Sequence, residues 1–202
     1  VVSCANLGPM MDQTKDFSPQ LPVIAIGEQG GLFLSSTTSS SSVDTTGLVH
    51  IVRASAASSV IVTHHQLDLS EQFAKADECG LALVGIGDAD GNDVNDLAFI
   101  CEARNSGRGS IHVILLDSEM QRVQGGVFEV DLSGLAPALD PSALTIKGLS
   151  SLARDGLRAE RGPGFVATYY TTGGDSGIFE VSLSMTHESL LPAFRVLGAA
   201  SS

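Results

Sequence analysis

The sequence predicts an all-β fold in which about three similar units form part of a β-propeller. Apolar runs are short and separated by Gly, Ser, Asp and Asn, as strands are by turns, and helical periodicity is scarce. A group of three such runs recurs along the chain at a nearly constant period. Units of this size with several strands each are typical of propeller blades.

Ten segments are candidate strands because each is a short apolar run bounded by turn residues. The predicted strands are Val23–Ile26, Leu48–Val52, Val60–Thr63, Leu81–Ile86, Leu97–Cys101, Ile111–Leu116, Val127–Leu132, Phe165–Tyr170, Ile178–Leu183 and Ala193–Leu197. A loop with a helical turn is predicted at Asp68–Glu78. The Ser-rich segment Ser35–Thr46 cannot bury apolar area, so it is expected to be a mobile surface loop, with O-glycosylation as the alternative.

The repeats define the predicted domain organisation. Counted from Leu48 and from Ser110 and Gly177, the residues just before the second and third apolar runs, the middle strands of the three groups are 62 and 67 residues apart. The chain is therefore expected to be one domain, 1–202, with units at roughly 1–67, 68–133 and 134–202. Closed propellers have roughly four to eight blades. We expect either a fragment of a longer propeller or a protomer whose ring is completed by a second copy or another protein.

The composition excludes several classes of partner. The net charge is −12, from 23 acidic and 11 basic residues, and such a surface repels nucleic-acid phosphates and anionic lipid headgroups. No apolar run approaches the length of a membrane-spanning helix. Divalent cations are the better expectation for a ligand.

The three cysteines, Cys4, Cys79 and Cys101, form no CxxC pair, which argues against a zinc site and a disulfide framework. One bridge plus one free thiol and three buried free cysteines both remain open. The second arrangement is favoured, because free cysteine behaves as a small buried hydrophobe.

The segment Asp88–Asp96 is the strongest functional signal in the chain. Short oxygen-bearing side chains stand at its alternate positions, and calcium takes six to eight oxygen ligands. The predicted ligands are Asp88, Asp90 and Asn92 at positions 1, 3 and 5, the Val94 carbonyl at position 7 and Asp96 at position 9. The Val94 side chain is expected to face the core. Without a cation, three carboxylates held so close are expected to repel one another.

Two alternatives for this segment are less favoured. A run of Asp and Asn in an acidic protein can be a solvated turn. An EF-hand requires flanking helices and a Glu at position 12, whereas this chain has flanking apolar runs that favour strands and Phe99 at that position.

The stretch Gly85–Ile100, GIGDADGNDVNDLAFI, resembles the FG-GAP repeat of integrin-alpha-type β-propellers. That resemblance implies calcium binding by loop positions 1, 3, 5, 7 and 9. The following segment, Gly107–Val123, is also similar to the family's next strands. One departure is Asp93 at position 6, where the family usually has Gly because φ is positive there; Asp tolerates that region better than most residues. The other units lack the ligand spacing, so one metal site is predicted.

The resemblance implies a non-enzymatic, extracellular or cell-surface module for protein interaction, adhesion or structural assembly, with calcium as a structural ion and no catalytic residue. The alternative is a propeller that serves as scaffold or accessory domain of a secreted hydrolase or lyase. A carbohydrate-binding propeller is disfavoured because the chain has no Trp. The sequence Gly174–Gly177, GDSG, matches a serine-protease motif, but turn formation explains it better.

Overall fold

The computed structural model describes residues 2–9, 22–28, 48–54, 61–69, 72–74, 77–136, 138–152, 162–186 and 189–200. Within these residues the chain forms twelve strands. They are β1 (Val2–Pro9), β2 (Pro22–Glu28), β3 (Leu48–Ala54), β4 (Ile61–Asp68), β5 (Cys79–Gly87), β6 (Asp96–Cys101), β7 (Ser110–Leu116), β8 (Arg122–Glu129), β9 (Leu144–Ser151), β10 (Gly164–Thr171), β11 (Ser176–Met185) and β12 (Leu190–Ala200). The predicted Ser-rich loop lies outside the described residues.

The strands form three antiparallel sheets of four strands each, connected in simple chain order. The first sheet contains β1 to β4, the second β5 to β8 and the third β9 to β12. This arrangement confirms the predicted all-β class. Each predicted group of three strands corresponds to the last three strands of one sheet.

Two strands of the structure were not predicted, β8 ends earlier than predicted, and several other strands are longer than predicted, β4 and β12 most of all. Strand β1 was not predicted because its apolar residues are interrupted by Asn, Gly and Pro, and β9 was not predicted because Gly148 interrupts its alternating pattern. Strand β8 ends at Glu129, whereas the sequence predicted an end at Leu132. There the Asp131 side chain accepts a hydrogen bond from the Ser133 amide and begins a short 3-10 helix, Leu132–Leu135.

The helical segments of the described chain are short. The four-residue α1 (Arg104–Gly107) is a tight turn, because Asn105 and Ser106 have left-handed φ angles of 54° and 62°. A second 3-10 helix spans Pro141–Ala143. In this part of the chain, no helix has the length and hydrophobicity needed to cross a membrane.

The predicted helical turn at Asp68–Glu78 is present in the residues described there. The amides of Gln72 and Phe73 both donate to the Leu69 carbonyl at 3.0 Å. Leu69 and Phe73 are buried, so this loop contributes apolar side chains to the core.

The second sheet is the central layer of the fold. Its strand β5 contacts β1 and β2 of the first sheet and β9 and β10 of the third. Every residue of β6 and β7 is buried. Along β6, Leu97 and Phe99 join a core cluster shared with the first sheet, while Ala98 and Ile100 join one shared with the third. Burial on both faces explains why these strands are apolar at nearly every position in the sequence.

The favoured prediction for the cysteines was wrong. Cys79 and Cys101 are register partners on β5 and β6, with their Cα atoms 3.8 Å apart, and they form a disulfide. Cys4 is free and exposed on β1. Strand register decides which cysteines are adjacent, and neither composition nor spacing shows it. For that reason the sequence favoured free, buried cysteines.

Candidate metal centre

The predicted calcium loop joins β5 to β6. Its curvature depends on three residues with positive φ, namely Gly87 at 91°, Gly91 at 83° and Asp93 at 63°. Asp93 therefore adopts the left-handed conformation expected at the position where the resembling family has Gly. Asp is among the few side chains that enter this region at small cost, so the loop closes without the glycine.

Three of the five predicted ligands converge. Asp88, Asp90 and Asp96 each offer one carboxylate oxygen, and these oxygens lie within 4.8 Å of one another. Asp88 and Asp90 are half-buried, whereas Asp96 is fully buried. Asn92 lies beside them, since its side-chain amide donates to Asp90 Oδ2 at 3.1 Å. The Val94 side chain is buried in the core, as expected, while its carbonyl as a ligand remains a prediction.

The first ligand position organises the turn. Asp88 Oδ1 accepts hydrogen bonds from the amides of Gly91 at 2.7 Å and Asn92 at 3.1 Å. Its second oxygen, Oδ2, accepts from the amide of Asp93 at 2.9 Å. These bonds fold the chain around the Asp88 carboxylate, so the converging geometry is set by the loop itself. A carboxylate oxygen retains lone-pair capacity for a cation beside such bonds.

The last ligand position attaches the loop to the sheet. Asp96 Oδ2 accepts from the Ala89 amide at 2.7 Å, and Oδ1 accepts from the Leu116 amide at the end of β7 at 2.9 Å. The Asn92 side chain donates to the carbonyl of the same Leu116 at 2.8 Å. The middle and the last position of the loop are thereby held against the end of β7.

The electrostatics of the cluster favour a cation. Burial raises the pKa of Asp96 to about 7, against the opposing effect of its two backbone hydrogen bonds, and the neighbouring Asp90 and Asp88 charges raise it further. The pKa of Asp90 is also raised, chiefly by partial burial and then by the Asp88 charge. Three ionised carboxylates in this space repel one another, and a divalent cation would relieve that repulsion.

The donor set indicates the kind of ion. Carboxylate and amide oxygens are ligands for hard cations such as Ca²⁺ and Mg²⁺, whereas zinc and copper sites usually contain His or Cys. No His or Cys belongs to this cluster among the described residues. The three carboxylates are placed so that they could hold a metal ion.

Sequence reasoning missed two sets of contacts around the loop. The first is the hydrogen bond from the Leu116 amide to Asp96, two residues that are 20 positions apart. The second is the hydrogen bond from the Asn95 side chain to the carbonyl of Leu7 on β1. The spacing of Asp and Asn residues indicates neither, because both depend on how distant strands are placed. The strand patterns were the available signal, but they do not specify register.

Of the histidines, His112 is the one whose surroundings the structure defines. Its Nε2 lies 2.7 Å from Ser110 Oγ, and its ring packs on Phe99 and Phe73. Burial, with a smaller contribution from the Arg104 charge, lowers the pKa of His112 to about 4. It therefore has a packing and hydrogen-bonding role. The side chain of His50, at the matching place in the first unit, lies outside the described residues.

No protein-family model matches the chain, and no curated protein matches it significantly. The likeness to FG-GAP repeats therefore rests on the residues of Gly85–Ile100, the segment that follows it and the strand spacing.

Proposed function

We propose that the protein is a non-enzymatic, calcium-binding β-propeller module of the FG-GAP or integrin-alpha type, acting in extracellular protein interaction, adhesion or structural assembly. The observation that carries the proposal is the convergence of Asp88, Asp90 and Asp96 in a loop between two strands of the central sheet. In this proposal the ion is Ca²⁺ and is structural, with Asn92 and the Val94 carbonyl completing the predicted ligand set.

The sheet architecture supports a propeller. Propeller blades are four-stranded antiparallel sheets, and each of the three sheets here is such a meander. Adjacent sheets pack against each other, and the first strand of the central sheet contacts the first strand of each neighbour. Three blades leave the ring open, so a second copy or another protein would complete it unless this chain is part of a longer one.

The disulfide supports an extracellular location. Disulfides persist in oxidising compartments and are rare in the cytosol, and Cys79–Cys101 encloses the entire proposed metal loop. The net charge of −12 favours a protein partner or a second copy over nucleic acid.

The alternative, a scaffold for a secreted hydrolase or lyase, is less well supported. A cleft of about 820 Å³ lies between the second and third sheets, and its acidic residues are Glu129, Asp131 and Asp140. Asp131 and Asp140 cap the two 3-10 helices, and hydrogen bonds from Ser133 and Ser142 lower the pKa of each. No His is among the described residues that line the cleft, so it lacks the grouping of acids with a His that would favour this alternative.

A calcium titration by calorimetry, together with thermal melting, tests the proposal. Wild type is expected to bind one calcium ion per chain. At a free calcium concentration 100 times the dissociation constant, binding raises the free energy of unfolding by about 2.7 kcal/mol. For a domain of this size that raises the melting temperature by about 5 to 10 °C. Asp88→Ala should abolish both binding and the shift. Repeating the titration with Mg²⁺ separates calcium from the other hard cation.

The matched control is Asp175→Ala, which removes an exposed carboxylate from the β10–β11 turn of the third sheet. It loses the same charge and should still bind calcium with an unchanged melting shift. A wild-type melting curve that is identical in calcium and in EDTA contradicts the metal site. A monomer by light scattering at dilute concentration would argue against a ring completed by a second copy.

A further inference from the structure

The metal loop contacts the first sheet at an irregularity of β1. In the β1–β2 ladder, Asn6 pairs with Ile24 and Gly8 pairs with Val23, so Leu7 is an extra residue without a cross-strand partner in that register. Such a β-bulge turns the side chain and backbone of the extra residue away from the regular ladder. The Leu7 carbonyl accepts the hydrogen bond from the Asn95 side chain, and the Leu7 side chain is buried.

The loop and the bulge also share the core between the first two sheets. Val94 and Leu7 are each only 3% exposed and belong to the same buried cluster. Val94 and Asn95 immediately precede Asp96, whose carboxylate belongs to the acidic cluster. One short segment thus holds a proposed metal ligand, an apolar contact and a hydrogen-bond donor directed at the neighbouring sheet.

We infer that calcium occupancy of the loop controls how firmly the first sheet docks on the second, through the contact of Val94 and Asn95 with the Leu7 bulge. This inference rests on the proposed calcium site. When the ion is absent, repulsion among Asp88, Asp90 and Asp96 loosens the loop, and the hydrogen bond to Leu7 opens more often. When the ion is bound, the loop is held and β1 is held with it.

Hydrogen exchange measured by mass spectrometry on the full chain tests this inference. The amides of β1 should exchange about fivefold more slowly in calcium than in EDTA, the effect of one ordinary hydrogen bond on a local opening equilibrium. The internal reference is the set of β11 amides, in the third sheet, that exchange by local opening and not by global unfolding; these should change much less. This comparison uses wild type alone and so does not depend on whether a variant folds.

Asn95→Ala tests the contact itself, with Gln124→Ala, an exposed amide side chain on β8, as the control. Asn95→Ala should keep calcium binding in the calorimeter, within about threefold in affinity, and lose most of the calcium-dependent slowing at β1. Gln124→Ala should retain both properties. A change of threefold corresponds to less than one hydrogen bond of ordinary strength.

The outcomes separate the inference from the function on which it rests. If wild type binds calcium but β1 exchanges at the same rate with and without it, the coupling is refuted and the calcium site stands. If Asn95→Ala keeps the full slowing at β1, the contact with Leu7 is not the route. If the calorimeter shows no binding to wild type, the proposed function fails, and the inference fails with it.

Discussion

The disulfide between β5 and β6 gives a prediction whose size follows from chain length. Cys79 and Cys101 are 22 residues apart and are both buried, and the segment they enclose contains the whole Asp88–Asp96 loop. Replacing both by Ala removes the cross-link. Because a cross-link limits the unfolded chain to fewer conformations, its removal is expected to destabilise the fold.

The magnitude can be worked out from the size of the closed loop. The chain-entropy relation for a loop of 22 residues gives about 3.4 kcal/mol at 25 °C. Truncating two buried sulfur atoms adds a packing cost of about 1 kcal/mol for each. Reducing the wild-type disulfide leaves the sulfur atoms in place, so reduced wild type isolates the cross-link, whereas the double variant measures the sum.

Urea unfolding monitored by circular dichroism is the assay. The double variant should unfold at a lower urea concentration, and its denaturant slope should be steeper, because an unfolded chain without the cross-link exposes more surface. Cys4→Ala is the control and should match wild type, since Cys4 is free and exposed. A reduced wild type within about 0.5 kcal/mol of the oxidised protein would refute the reasoning, because the chain-entropy term alone is several times larger.

Three further predictions concern the thiols, one histidine and one tyrosine. Ellman's reagent should detect one thiol in native protein and one after unfolding without reductant, but three after reduction; a count of three without reductant would contradict the disulfide. The pKa of His112 is about 4 in the fold, below its ordinary value of 6.5. The contribution of the neutral ring to the unfolding free energy is therefore complete above pH 6.5, and it is lost as the pH falls toward 4. Over that interval His112→Gln should abolish about 3 kcal/mol of the pH dependence of unfolding free energy, and parallel curves for variant and wild type would refute this. The Tyr169 hydroxyl is buried with no hydrogen-bond partner among the described residues, so Tyr169→Phe should stabilise the fold by about 1 kcal/mol in urea unfolding; a loss of stability would show that the hydroxyl has a partner.

Much of the secondary structure could be predicted because its cause is local. The runs at Leu97–Cys101 and Ile111–Leu116 are apolar at nearly every position, and strands buried on both faces require that. Strand β9 was missed because its two fully buried residues, Leu144 and Ile146, are followed by Lys147 and Gly148, too short a pattern to identify a strand. Its position is determined by pairing with β10, which is a tertiary effect.

The candidate site likewise combines features with a local cause and features that depend on distant parts of the chain. The alternate spacing of Asp88, Asp90 and Asp96 is local, and it predicted their convergence. The residues that hold the loop, Leu116 on β7 and Leu7 on β1, come from distant parts of the chain. Their involvement depends on register and on the packing of one sheet against another, neither of which a pattern of residue types specifies.

Because each face of β6 packs against a different sheet, the size and shape of neighbouring side chains on this six-residue strand are constrained by different sheets. A change at Phe99 has to be accommodated by the first sheet, and a change at Ile100 by the third. The units are therefore not interchangeable modules: a second sheet transplanted into a related repeat protein would need both of its neighbours to match it. Compensating substitutions should accordingly fall into two separate sets that alternate along the strand, each shared with one neighbouring sheet.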